Sequence, residues 1–436
     1  MASPTAVGSR TDLVRAIGRW SLVALVVNSI IGSGVFGLPS TVAGLIGRSS
    51  IWAVVAAGGG MCVIMGCFAE VASHFQQAGG PYLYARVAFG RLLGIETAWM
   101  LCLGQVAAPA ANANLFVVYL GEFFPHAKDA VPRALILTFL VGFLTFINIR
   151  GVRGGTRISN LFTAAKLVPL FAVIVLGIVV LAKQRWLMAV PSGSFPAGKW
   201  MTAVLLLVFA YGGFETALVP MSEARNPRRD APFALFAALI LCTALYVLIQ
   251  WVVVGVLPDA AYSSRPLSDV ARVAVGPVGA ALVAIGALIS FYGYLSAKIL
   301  AVPRIPFALA EQGDFPQVFA AVHRRFQTPY VSILAFAALV WGFSLIGEFK
   351  WNVTLSAVAR LLYYGVGCAA LPVLRRKQPE GAMFRLPMGN FLAIVGVILC
   401  LVLVTRVDFG QSMILVGTIA AALVNWVLVA RRSVVK

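Results

Sequence analysis

Residues 28–40 read NSIIGSGVFGLPS, and within them Gly32, Gly34 and Gly37 carry the GxGxxG spacing of a dinucleotide-binding loop. Such a loop follows a strand, opens a helix and is answered by an acid about 20 residues on. Here both flanks are long apolar runs, the residue at that distance is Ala57, and the nearest following acid is Glu70. The motif does not read as a nucleotide site. A second glycine interruption, FAYGGFE at 209–215, lies in the middle of another apolar run. Glycine costs about 1 kcal/mol in a helix interior, and unwound backbone in lipid survives only where it lines a polar cavity or is buried in protein. One such break could serve close helix packing. Two breaks at matching positions of two halves point instead to the substrate site of a transporter. A broken helix exposes amide N–H groups on one half and carbonyls on the other. The amides attract an anion and the carbonyls a cation. A carboxylate and an ammonium on one carbon match that arrangement, so the expected ligand is an amino acid.

Ionisable residues inside apolar runs are the second chemical signal, since each costs at least about 2.5–3.5 kcal/mol on insertion scales. Lys166, in NLFTAAKLVPL, is either a snorkelling anchor or an internal cation. Burial penalises the charged form of a lysine, so an internal Lys166 could exchange its proton during a cycle and couple transport to protons. Glu215 directly follows the second break. It reads either as a cap on the lower half-helix or as an inner gate. Lys298, in SAKILAVPR, either snorkels or faces inward as a cavity charge with Glu215 as its natural partner. Facing inward, it would disfavour arginine- or polyamine-like cargo unless Glu215 neutralised it. Arg360 reads as structural. Asn28, Ser29, Gln105, Asn112 and Asn114 could line a cavity or bridge helices, and Glu70, His74 and Glu96 fall near span ends.

The elements that must position these residues follow from composition. The chain of 436 residues is 61% hydrophobic and 11% charged, with a mean hydropathy of +0.93. Soluble domains carry roughly 25% charged residues. Apolar stretches of about 20 residues, the length that crosses a bilayer, follow one another from residue 20 to residue 430. The expected fold is therefore an all-α, multi-pass membrane protein of about twelve transmembrane helices. At 1.5 Å per residue both breaks lie roughly 18 Å into their spans, near the midplane. No cleavable signal peptide is expected. Of the 34 Lys and Arg, 21 fall on the side of the termini and 10 on the other. The positive-inside bias puts both termini in the cytoplasm and makes the net charge of +19 a matter of orientation and lipid contact, not a nucleic-acid footprint. The cysteines at 62, 67, 102, 242, 368 and 400 lack metal or disulfide spacing and are expected to be buried free thiols. No HExxH, no Ser–His or paired-Asp constellation and no GxxxxGK[ST] loop occurs, which argues against an enzyme, a metal site, a cofactor or ATP coupling. A receptor that binds an amino acid without moving it is the reading from another class, and would be expected to carry a signalling domain.

With these residues in view, the sequence resembles the amino acid–polyamine–organocation (APC) superfamily of transporters over essentially its whole length. The resemblance is carried by GSGVF at 32–36, AGGPYLYARVAFG at 78–90, FAYGGFETALVPMSEARNPRRDAP at 209–232 and PRIPFALAEQGDFPQVFAAVHRRFQTP at 303–329. It implies two inverted five-helix repeats, at 20–182 and 200–373, with helices 1 and 6 discontinuous. Two additional helices at 390–430 and short tails at 1–19 and 431–436 complete the layout. It further implies that Ser33 and Gly34, beside Gly32, hold the substrate carboxylate, and that carbonyls of Ile30, Phe209 and Gly212, beside Gly213, receive its ammonium. Phe209 covers the site as a gate, and Glu215 pairs below it with tyrosine, for which Tyr364 is the candidate. Lys166 is implied to take the place of a sodium ion, bridging carbonyls near Ile31 and Gly32 to helix eight. The transport expected is sodium-independent and proton-coupled in the inner membrane, or else amino acid exchange.

Overall fold

The computed structural model describes residues 18–75, 80–151, 155–183, 195–218 and 226–434. Helices dominate, and there is no strand among the described residues. In chain order they are α1 (Arg19–Ile30), α2 (Gly34–Ile46), α3 (Ser50–Ser73), α4 (Gly80–Phe89), α5 (Arg91–Leu120), α6 (Ala130–Arg150), α7 (Gly155–Lys183) and α8 (Ala197–Tyr211). There follow α9 (Phe214–Ala217), α10 (Pro227–Val256), α11 (Pro266–Ala301), α12 (Arg304–Glu311), α13 (Tyr330–Ile346), α14 (Phe349–Lys377), α15 (Gly389–Val404) and α16 (Phe409–Val434). Among the described residues nine stretches are long and apolar enough to cross a membrane. Arg19–Ile30, Tyr330–Ile346 and Gly389–Val404 are apolar but shorter.

The apolar residues are distributed as lipid requires. Large side chains stand exposed on the outside of α6, α7, α13, α15 and α16, among them Phe139, Val168, Leu339, Leu401 and Met413. The polar groups lie within: Gln105, Asn112, Glu215, Ser356 and Arg360 are all buried. α5 packs on α14, α14 on α15, α3 on α10, α7 on α11 and α1 on α10. α11 bends at Val275–Gly276, where Gly276 adopts φ +77°, a left-handed conformation that favours glycine. Pro277 then opens the rest of that helix, with its missing N–H at a turn that has no acceptor to lose. All six cysteines are free. The expectation that all are buried fails at Cys62, which is exposed, and at Cys102, which is half-buried. An apolar environment accepts a thiol as readily as a protein core does.

Buried carboxylates tie the helix ends. Asp314, just after α12, accepts from Tyr82 and Arg86 of α4 and from Arg91 of α5 at 2.8 Å. Its carbonyl takes Asn425 of α16 at 2.8 Å. Glu70 pairs with Arg375 at 2.7 Å, and Glu122 pairs with Arg265 at 3.2 Å and with Arg272. The acids expected near span ends thus include Glu70 as a paired one.

Candidate functional site

The span expected at 20–46 is two helices, α1 and α2, separated by Ile31, Gly32 and Ser33. The span expected from residue 200 breaks in the same way at Gly212 and Gly213, between α8 and α9. Neither helix can run on. Ile31 takes an extended conformation at ψ 97°, and Gly213 sits at φ +112°, a region open in practice to glycine alone.

The two breaks meet. A Cβ on Gly213 would lie 2.3 Å from the carbonyl oxygen of Ser29, and one on Gly34 would lie 3.0 Å from Cα of Ala210. These glycines are needed for close approach of backbone to backbone. Tyr246 of α10 pins the junction, its hydroxyl donating to the carbonyls of Ile30 at 3.3 Å and Ala210 at 3.0 Å. Both are carbonyls at the end of a helix that has stopped.

Ser33 N-caps α2, and its carbonyl accepts from the amides of Phe36 at 3.1 Å and Gly37 at 3.2 Å. Among the described residues no backbone carbonyl accepts from the amides of Gly34 or Val35. Two free N–H groups at a helix N-terminus attract an anion. On the other side, Phe209 O accepts from Gly212 N at 3.2 Å, and Ile30 O accepts from Tyr246. Each carbonyl oxygen has a second lone pair, so both can also accept from a cation. Phe209 packs against α2, its Cδ1 3.4 Å from the Cβ that Gly34 lacks. Gly32 is half-buried, with the ring of Tyr294 3.6 Å from its own missing Cβ.

Glu215 is 0% exposed and sits in the first turn of α9. Its Oε2 accepts from the Gly213 amide at 2.9 Å and from Tyr364 at 2.8 Å. Its Oε1 accepts from Tyr363 at 2.8 Å and Gln105 at 3.4 Å, and lies 3.6 Å from Arg360 Nη1. The cap and the tyrosine pair, weighed as alternatives on sequence, are therefore present together. Phe68, Phe214 and Tyr364 form an aromatic floor beneath, with ring centroids 5.1 to 5.7 Å apart.

Lys166 faces inward from α7. Its ammonium donates to the carbonyl of Asn28 at 2.9 Å and to the Asn28 side-chain oxygen at 2.8 Å. The expected contact at Ile31 and Gly32 is corrected to Asn28. The physical reason is that a helix stopping at Ile30 leaves the Asn28 carbonyl without its amide donor four residues on. Lys298 also faces inward, but its expected partner Glu215 is corrected to Gln105, whose Oε1 takes the ammonium at 2.8 Å. The same ammonium lies 5.4 Å from the centroid of the Tyr294 ring.

The main residue that sequence reasoning missed is Arg360, read as structural. Its guanidinium occupies the space over Gly212, where a Cβ would lie 1.6 Å from Nη1, and Cζ lies 5.8 Å from the Phe209 ring centroid. Gly212 is extended rather than left-handed, so Arg360, and not backbone conformation, demands glycine there. The signal was available. Arg360, Tyr363 and Tyr364 stand at i, i+3 and i+4, one face of a helix, around the same carboxylate. Tyr246 carried no comparable signal.

Comparison with known proteins agrees with this architecture. The chain is 28% identical to a methylthioribose transporter of Bacillus subtilis, over 89% of this chain and 88% of that protein. It is 27% identical to a serine/threonine exchanger of the same organism, over 88% and 89%. It is also 26% identical to a branched-chain amino acid permease, again of Bacillus subtilis, over 98% and 95%. The amino acid permease family profile matches residues 17–427, nearly the whole chain, and the protein thus belongs to the amino acid permease family: a multi-pass membrane transporter, not an enzyme.

Proposed function

We propose that the protein carries amino acids across the cytoplasmic (inner) membrane by alternating access, without sodium and coupled to protons through Lys166. The observation that carries the reading is the meeting of two broken helices, which brings free amides at Gly34 and Val35 and stopped-helix carbonyls at Ile30 and Phe209 to one place. A zwitterion satisfies both ends at once. In this reading Gly32, Ser33 and Gly34 surround the carboxylate, and Ile30, Phe209 and Gly212, beside Gly213, offer oxygens to the ammonium. Phe209 closes the site from one side, and Glu215 with Tyr364 closes it from below. Lys166 fills with its own ammonium the two oxygens of Asn28 that a metal cation would otherwise use, which favours sodium independence.

The proposed layout is twelve spans in two inverted five-helix repeats, 20–182 and 200–373, followed by two helices at 390–430. Both tails, 1–19 and 431–436, would be cytoplasmic, with the basic side against anionic lipid. The nine long apolar stretches and three shorter apolar helices support this count. A rocking motion of one bundle about the breaks would expose the site to each side in turn. Exchange is the second reading, favoured by the likeness to a serine/threonine exchanger.

Purified protein in sodium-free liposomes tests both. Uptake of a labelled amino acid panel is measured with and without an inward proton gradient, and with and without internal amino acid. Net uptake that tracks the gradient is expected. Uptake only with internal amino acid would replace symport by exchange. Binding without uptake under any condition would end the transport reading in favour of a receptor.

A further inference from the structure

Among the described residues, the interior around the two breaks holds the cations Lys166, Lys298 and Arg360 and the single carboxylate Glu215. Glu215 is fully committed. Its two oxygens accept from Tyr363, Tyr364, Gln105 and the Gly213 amide, and a carboxylate has about four lone-pair sites. Its charge lies against Arg360 at 3.6 Å. Lys166 is satisfied by the two oxygens of Asn28.

Lys298 is different. Gln105 gives its ammonium one neutral acceptor at 2.8 Å, and the Tyr294 ring gives it a π face at 5.4 Å. Among the described residues no carboxylate forms an ion pair with it. Its place is beside the site, because Tyr294 also covers Gly32 at the first break. Gly32, Tyr294 and Lys298 keep accessible surface while Ile31, Ser33 and Leu295 beside them are buried.

A neutral zwitterion brings one carboxylate and one ammonium and leaves the Lys298 charge as it was. A cation adds to it. An unpaired charge away from water is costly, and a carboxylate of opposite sign offsets that cost. Building on the transport reading above, we propose that the cargo is an amino acid whose side chain ends in a carboxylate, and that Lys298, beside Tyr294, receives that carboxylate. Arg360 has an indirect part: by holding the charge of Glu215, it keeps Lys298 free for the cargo.

The test uses the full chain in liposomes with labelled L-glutamate, L-serine and L-lysine, and three proteins: wild type, Lys298→Met and Gln105→Glu. Gln105→Glu keeps the lysine but puts a carboxylate on it, at the cost of the 3.4 Å bond that Gln105 donates to Glu215, so a change there reports charge and not lost packing of the lysine. Wild type is expected to favour L-glutamate over L-serine and L-lysine by at least about tenfold, a difference of ~1.4 kcal/mol. Both substitutions are expected to lower the L-glutamate to L-serine uptake ratio by at least about tenfold. Monodisperse elution in detergent confirms that each variant is folded, and if Lys298→Met is not, Gln105→Glu decides. Wild-type preference for L-serine or L-lysine overturns the inference and leaves transport standing, as does an unchanged ratio in Gln105→Glu. Uptake of none of the full amino acid panel overturns the transport reading and the inference together.

Discussion

Lys166 and Gly213 show how much a single position has to carry. Lys166 is held by two oxygens of one residue, Asn28, in the last turn of α1. Replacing it with methionine keeps the stem and removes the charge. Lys166→Met is expected to abolish accumulation driven by a proton gradient, measured as the ratio of internal to external amino acid. Accumulation at the wild-type level would remove Lys166 from the coupling. Gly213 carries conformation instead of charge. At φ +112° with Ser29 O 2.3 Å from its missing Cβ, alanine would be strained and would collide with backbone. Left-handed strain alone costs about 1–3 kcal/mol, so Gly213→Ala is expected to lower the apparent melting temperature in detergent by several degrees. Lys166, Glu215 and Lys298 were legible in the sequence because a charge in an apolar run is conspicuous. Their partners were not. Tyr363 lies 148 positions from Glu215 and Gln105 lies 193 positions from Lys298, and nothing local in the chain brings either pair together. Arg360 gave the same signal as the lysines, but its place over Gly212 depends on how α8 meets α14.

At the scale of elements, the breaks themselves were legible, because glycine inside an apolar run is a property of one stretch of chain. The observed gaps at residues 31–33 and 212–213 fall where the sequence put them. What ties the breaks to each other was not legible. That tie is the hydroxyl of Tyr246 on α10, donating to Ile30 and Ala210. A hydroxyl shared between the ends of two interrupted helices fixes their spacing, and so the distance between the amide pole and the carbonyl pole of the site. Tyr246→Phe keeps the ring that packs 5.3 Å from Tyr211 and removes only the hydroxyl. A hydrogen bond is worth about 0.5–1.5 kcal/mol net. The variant is therefore expected to fold, with its apparent melting temperature reduced by a few degrees at most, and to bind its best amino acid substrate several-fold more weakly in a competition assay. Unchanged affinity would show that the spacing is set by the glycine contacts alone.

Across the whole molecule, Asp230 and Asp314 at the helix ends are both buried but differ in how many partners they hold, and that difference predicts which of them ties the assembly together. Asp230 pairs with Arg19 at 3.1 Å, but the Arg19 side chain is 50% exposed. Such a pair contributes about 0–1 kcal/mol. Asp314 is 1% exposed and joins Tyr82 and Arg86 of α4, Arg91 of α5 and, through its carbonyl, Asn425 of α16. It thus links early helices to the last one, across nearly the full length of the chain. Removing one partner of a fully buried pair costs about 3–5 kcal/mol; Arg86 and Arg91 are 39% and 33% exposed, so water screens them and the loss at Asp314 is smaller than that. Asp314→Ala would strand two arginines and a tyrosine hydroxyl. It is expected to cause the larger loss of thermal stability in detergent, while Arg19→Ala stays within about a degree or two of wild type. If the two variants melted together, the number of partners would not rank these ties. The connection between α5 and the chain after α12 would then rest on apolar contacts such as Trp99 stacked on Phe315, centroids 5.0 Å apart, and Trp99→Ala would become the substitution that separates them.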